Sequence, residues 1–138
     1  MKKPCLAIDA IAFVLIHLVA LWGWFSIHKF LGDAQSIDWI RGQEPDIASS
    51  EWYFWCVMTV GLFGLNLSRK SKVSRVAQAV FVILVGLVAA ANNFRPHLWV
   101  SDSLAWQVGI ACLMLLLAWR GALFAVRPPS QPSTMDNL

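Results

Sequence analysis

Four apolar stretches free of Lys, Arg and Glu constrain this chain more than anything else in it: Cys5 to Ile27, Trp52 to Ser68, Val76 to Phe94 and Ser103 to Trp119. At a rise of ~1.5 Å per residue, each is about long enough as a helix to cross a ~30 Å hydrocarbon core. A segment in lipid must satisfy its backbone N–H and C=O groups internally, which leaves only helices and closed barrels. Barrel strands would alternate apolar and polar residues over about ten positions, and these stretches do not alternate. The expected fold is therefore all-α: a polytopic membrane protein with four transmembrane helices in an up-down bundle.

Composition agrees, because 58% hydrophobic and 14% charged residues in a chain of 138 leave too little polar surface to coat a soluble globule, which would carry about a quarter charged residues. The net charge of +3 does not point to nucleic acid, since the basic residues sit at the ends of the apolar stretches and form no face. Cys5, Cys56 and Cys112 are odd in number and lack CxxC spacing, so no disulfide framework follows. The first stretch is read as a retained span, not a cleaved signal. It is too long for a signal core, contains Asp9 and His17, and carries bulky Trp22, Trp24 and Phe25 where small residues precede a cleavage site.

Orientation follows from the basic residues, which are retained on the cytoplasmic side. Eight of the eleven lie before span one, between spans two and three, and after span four: Lys2, Lys3, Arg69, Lys70, Lys72, Arg75, Arg120 and Arg127. The other two connections hold only Lys29, Arg41 and Arg95. Both termini are expected inside, N-in and C-in, in a bacterial inner membrane. Residues 1–126 form the transmembrane domain and 127–138, rich in Pro and Ser, a flexible cytoplasmic tail.

Helix ends are expected where capping residues stand: Ser50 and Glu51 before span two, Ser101 and Asp102 before span four. Pro96 should close span three, and Pro128 with Pro129 the fourth. The apolar run from Gly121 to Val126 leaves two readings for span four: an end at Arg120 by snorkelling, or a longer tilted helix. In the long outer loop Ile37, Trp39 and Ile40, opened by Ser36, suggest a short interfacial helix.

Seven tryptophans, Trp22, Trp24, Trp39, Trp52, Trp55, Trp99 and Trp106, map near the outer face and only Trp119 near the inner one. They are expected to anchor helix ends, with an aromatic-lined outer cavity or partner surface as the alternative. Packing should rest on small residues that let helices approach closely: Gly61 and Gly64; Ala79, Gly86 and Ala90; Ala105, Gly109 and Cys112. Larger side chains at Gly86 or Gly109 should disturb the bundle.

Polar groups inside the spans are the functional candidates, since each is costly in lipid unless paired. Counting depth puts Asp9 one turn inside the cytoplasmic end, level with Asn66 and Gln78, which are its expected partners. His17 falls near mid-membrane, level with Thr59, Gly86 and Cys112. The offset of eight residues turns ~80° around a helix, so Asp9 and His17 can face one interior groove. His28 and His97 stand at matched depth near the outer face, an arrangement that suits haem or a metal, with His17 a third imidazole on span one. Solvated interfacial histidines are the preferred reading, and no cofactor is expected. No phosphate-binding Gly-rich loop, nucleophile triad or paired outer cysteines occur. The chain reads as a non-catalytic subunit or accessory factor of a larger membrane complex, its partners being the lipid bilayer and another membrane subunit or a second copy. The alternatives are a self-associated transporter or channel with Asp9 and His17 lining the path, and a redox anchor binding haem or quinone.

Overall fold

A computed structural model describes the backbone of residues 3–34, 45–94 and 103–129 and the side chains of 5–26, 51–94 and 103–129. The described backbone is all-helical, in four elements: α1 (Lys3–Ala34), α2 (Pro45–Asn66), α3 (Lys72–Asn92) and α4 (Leu104–Val126). Three segments, Cys5–Ser26 of α1 with the whole of α3 and of α4, are long and apolar enough to cross a membrane.

The helices run alternately up and down. Gln78 reaches Leu62 across α2 and α3, Gly86 meets Ala118 across α3 and α4, and Gly121 lies against Phe13 across α4 and α1. Neighbours in sequence pack side by side, α4 closes the ring against α1, and α1 also touches α3 across the centre. Each helix turns one stripe inward at helical spacing. On α1 it is Asp9, Ala12, Phe13, Ile16, His17 and Ala20; on α3 it is Gln78, Ala79, Val82, Val85, Gly86 and Ala90. On α4 the stripe is small throughout: Ala111, Ala118, Gly121, Ala122 and Ala125.

The outside is more apolar than the inside. Leu6, Ile8, Ile11, Val14 and Leu18 of α1 and Leu113, Leu115 and Leu116 of α4 point away from the bundle, while Asp9, His17, Gln78 and Asn93 are buried within it. Large apolar side chains avoid such exposure to water. In lipid, which solvates a Leu as well as a neighbouring helix does, association rests on close approach and interior hydrogen bonds.

Several boundaries differ from the sequence expectation. Ser50 and Glu51 lie inside α2, which already begins at Pro45, whose fixed φ and missing N–H suit a first helical position. The fourth helix starts after Ser103, not after Ser101 and Asp102, which lie outside the described residues. It also runs on as helix through Arg120 to Val126, as both readings of the run after Arg120 allow. Arg127 then turns extended, at φ −68° and ψ 137°, since a residue before proline is pushed out of the helical region. The expected interfacial helix around Ile37 and Trp39 falls outside the described residues, as do Pro96 and the tail from residue 130.

The small-residue stripes also divide. Gly61 lies under the Phe81 ring and Gly86 against Ala118, but nothing stands within 4 Å of a Cβ at Gly64 or Gly109, and Ala105 and Cys112 face outward with Gly109. The side of α4 expected to pack is its outer side. The other side packs, so Gly109 is open to a larger residue.

Candidate functional site

Of the buried polar residues, Asp9, His17 and Gln78 lie toward the end of the bundle where α1 begins and α4 finishes, and Asn93 lies at the other. Asp9 is 1% exposed, and two guanidiniums hold its carboxylate: Arg120 Nε stands 2.7 Å from Oδ1 and Arg127 Nη2 2.7 Å from Oδ2. The approach is possible because a Cβ at Gly121 would come within 3.3 Å of the Phe13 Cα, so the two helices nearly touch. The extended Arg127 turns its side chain back onto α1. Asp9 does not meet Asn66 or Gln78, as depth counting suggests.

Those amides serve His17. Gln78 Nε2 donates to Asn66 Oδ1 at 2.5 Å and to the Leu62 carbonyl at 3.3 Å; Asn66 Nδ2 lies 3.2 Å from His17 Nε2; and His17 Nδ1 lies 2.8 Å from the Phe13 carbonyl. One donor direction runs through the chain, amide to amide, amide to Nε2, and Nδ1–H to the carbonyl, while Gln78 Oε1 is buried without a hydrogen-bond partner among the described residues. Phe13 and Phe63 flank the imidazole at ring separations of 4.4 and 5.2 Å. Both ring nitrogens are engaged, so His17 is not poised as a ligand. Thr59, expected level with His17, has a buried hydroxyl without a hydrogen-bond partner among the described residues.

Asn66 is the last residue of α2, and it meets α1 at His17, about two turns beyond Asp9. The C-terminal end of α2 is therefore recessed relative to the start of α1, and the short turn into α3 tucks beneath the bundle. Arg69 of that turn fills the recess. Its guanidinium lies 5.2 Å from the Phe13 ring centre and 4.8 Å from that of Phe124, and its Nη2 donates to the Phe124 carbonyl at 3.2 Å. That carbonyl belongs to the last turn of α4, where it has lost its i+4 helical donor and accepts also from the Arg127 N–H at 3.2 Å. Arg75 Nη1 in turn donates to the carbonyls of Arg69 and Lys70 at 3.1 and 3.0 Å and holds the turn closed. Burial first, and then the charge of Arg75, lower the Arg69 pKa from its ordinary value.

The arginines that serve only as orientation markers in the sequence are thus structural partners. One signal was available: in an up-down bundle the start of α1 lies beside the end of α4, and Asp9 and Arg120 each stand just under two turns inside those ends.

At the other end the expected aromatic rim splits. Trp22 and Trp106 point outward, Trp24 and Trp52 pack partly against the core, and Trp55 is buried over Gly23. A Cβ on Gly23 would come within 2.6 Å of the Trp55 ring, so Trp55 is a packing knob and not a belt residue. Asn93 donates to the Gln107 carbonyl and ties α3 to the first turn of α4. Trp39, Trp99 and His97 lie outside the described residues, as does the side chain of His28, so the suggested haem or metal pair has no described geometry. Among the described residues no group of three His, Cys, Asp or Glu is placed to hold a metal. No family model matches the chain, and no curated protein or solved structure matches it.

Proposed function

We propose that the chain is a four-span protein of a bacterial inner membrane, with both termini cytoplasmic, acting as a non-catalytic subunit or accessory factor of a larger membrane complex. The observation that carries this reading is the outward apolar surface over an interior whose polar groups bind each other. Asp9 is neutralised by Arg120 and Arg127, and His17 is tied to Asn66 and Gln78. Toward the outer end Ile16, Ala20, Leu62, Val82 and Val85 fill the core, all fully buried. A transported ion would have to break these pairs and cross that apolar layer, which weighs against the transporter reading. With its interior closed, the bundle offers its lipid-facing helix surfaces to a partner.

Affinity purification in mild detergent, followed by mass spectrometry and a visible spectrum, tests the proposal. A reproducible unrelated membrane subunit is the expected result. A homo-oligomer without partners would favour the transporter, and a Soret band the redox anchor.

A further inference from the structure

The recess of α2 leaves a step at the inner end of the bundle, where α1 and α4 run on past the turn between α2 and α3. Three guanidiniums border this step. Arg69 Nη2 and the backbone N–H of Arg127 converge on one atom, the Phe124 carbonyl oxygen, each at 3.2 Å, and Arg75 is bonded to the backbone of Arg69 itself. Asp9 pairs with Arg120 and Arg127 alone among these groups, and no ion pair to Arg69 or Arg75 is seen among the described residues. The donors of the three guanidiniums are not used up: Arg127 Nη1, Arg69 Nε and Arg75 Nε are all buried without a hydrogen-bond partner among the described residues. Buried N–H groups of a charged fork are costly to leave unpaired, and like charges held together favour a counter-anion. The pressure of Arg75 on the Arg69 pKa is the same repulsion seen from the proton's side.

We propose that this step binds a phosphate oxyanion, most directly the headgroup of an anionic phospholipid, through Arg69, Arg75 and Arg127. A phosphate matches the chemistry because its oxygens accept paired N–H donors from guanidinium forks. Under the four-span reading, on which the lipid source rests, the step sits at headgroup depth. The bound phosphate would join the turn between α2 and α3 to the end of α4, two elements already linked by the bond from Arg69 to Phe124.

The full-length protein in detergent micelles tests this, titrated with phosphatidylglycerol, with phosphatidylcholine or with inorganic phosphate. Melting temperature and retained lipid by native mass spectrometry are the readouts. Phosphatidylglycerol should raise the melting temperature and stay bound one to one, and Arg69→Gln and Arg75→Gln should weaken it about tenfold, the loss of roughly one charge-assisted contact. Lys70→Gln removes the same charge from an exposed position of the same turn and should leave binding unchanged. If Arg75→Gln fails to fold, Arg69→Lys keeps the charge without the fork and should still weaken binding several-fold. An equal, Arg69-dependent response to inorganic phosphate would support the site with soluble phosphate as its source. Equal retention of both lipids, or binding indifferent to Arg69 and Arg75, would overturn it. Release of the protein from membranes by alkaline carbonate would count against the four-span reading alone, since the micelle titration measures the site without it.

Discussion

At the residue scale the decisive contact is one carboxylate shared by two guanidiniums. Removing the acid leaves both arginines against an apolar interior, whereas removing one arginine leaves the other in place. Breaking a buried pair costs about 3–5 kcal/mol, and the arginine side chains are 28% and 24% exposed, so Asp9→Asn should cost about 2–3 kcal/mol. Arg120→Gln and Arg127→Gln should each cost less than half of that, and the double variant more than the two together, because the singles back each other up. Thermal unfolding in detergent measures all four, and strictly additive single losses would show that the carboxylate is not shared. The second polar group makes the opposite prediction at two neighbouring positions on α2. Asn66→Ala removes both bonds of the chain between Gln78 and His17 and should cost about 1–2 kcal/mol. Thr59→Val removes a hydroxyl that has no partner among the described residues and should be neutral or slightly stabilising by the same measurement. Asp9, His17, Asn66 and Gln78 stand out in the sequence as the polar residues of apolar helices, but their pairing does not. Depth counting assumes that all helices start at one plane, and the recess of α2 moves Asn66 two turns, from the level of Asp9 to that of His17.

At the element scale the helices are legible and their faces are not. Hydropathy finds α1, α3 and α4 because a span is apolar all round, and for the same reason it cannot say which side meets a neighbour. The outward side of α4 carries Leu113, Leu115, Leu116 and Trp119, and its packed side carries alanines and Gly121. Small-residue spacing is the remaining cue, and α4 holds two such stripes, one around Gly109 and one from Ala111 to Ala125. The packed stripe is the one that brings Gly121 against Phe13 and Ala118 against Gly86, approaches that a larger residue would block. Gly86→Leu should therefore destabilise by about 1–3 kcal/mol through overpacking. Gly109→Leu should stay within about 0.5 kcal/mol, as an outward substitution without neighbours does. Melting the two variants side by side in the same detergent checks the assignment, and the reverse order would turn α4 around. The boundary missed at Ser50 has a simpler origin. Capping residues also occur inside helices, and Pro45, five residues earlier, suits a first helical position.

At the scale of the whole molecule, charge and polarity predict how the bundle sits in a bilayer. Arg69, Arg75, Arg120 and Arg127 meet at one end and are joined there by Asp9, Phe13 and Phe124, while Trp24, Trp52 and Trp55 pack at the other. The basic end is the one that resists translocation. Its arginines bind one another's helices, so under the proposed orientation the same residues would both orient the chain and lock this end of the bundle. Reporter fusions should then place residue 40 outside and the C terminus inside. The orientation rests on several loops, not on one pair, so Asp9→Asn, which destabilises the bundle, should leave both reporters where they are. Removing charge from the turn between α2 and α3 acts differently, since Arg69, Lys70, Lys72 and Arg75 are half of the eight basic residues expected inside. Replacing all four by Gln, and adding Lys residues to the loop between α1 and α2, should yield a mixed population of orientations. A residue-40 reporter that stays wholly outside in that variant would mean that the charge of this turn does not orient the chain, and would limit its role to the packing that Arg69 and Arg75 provide.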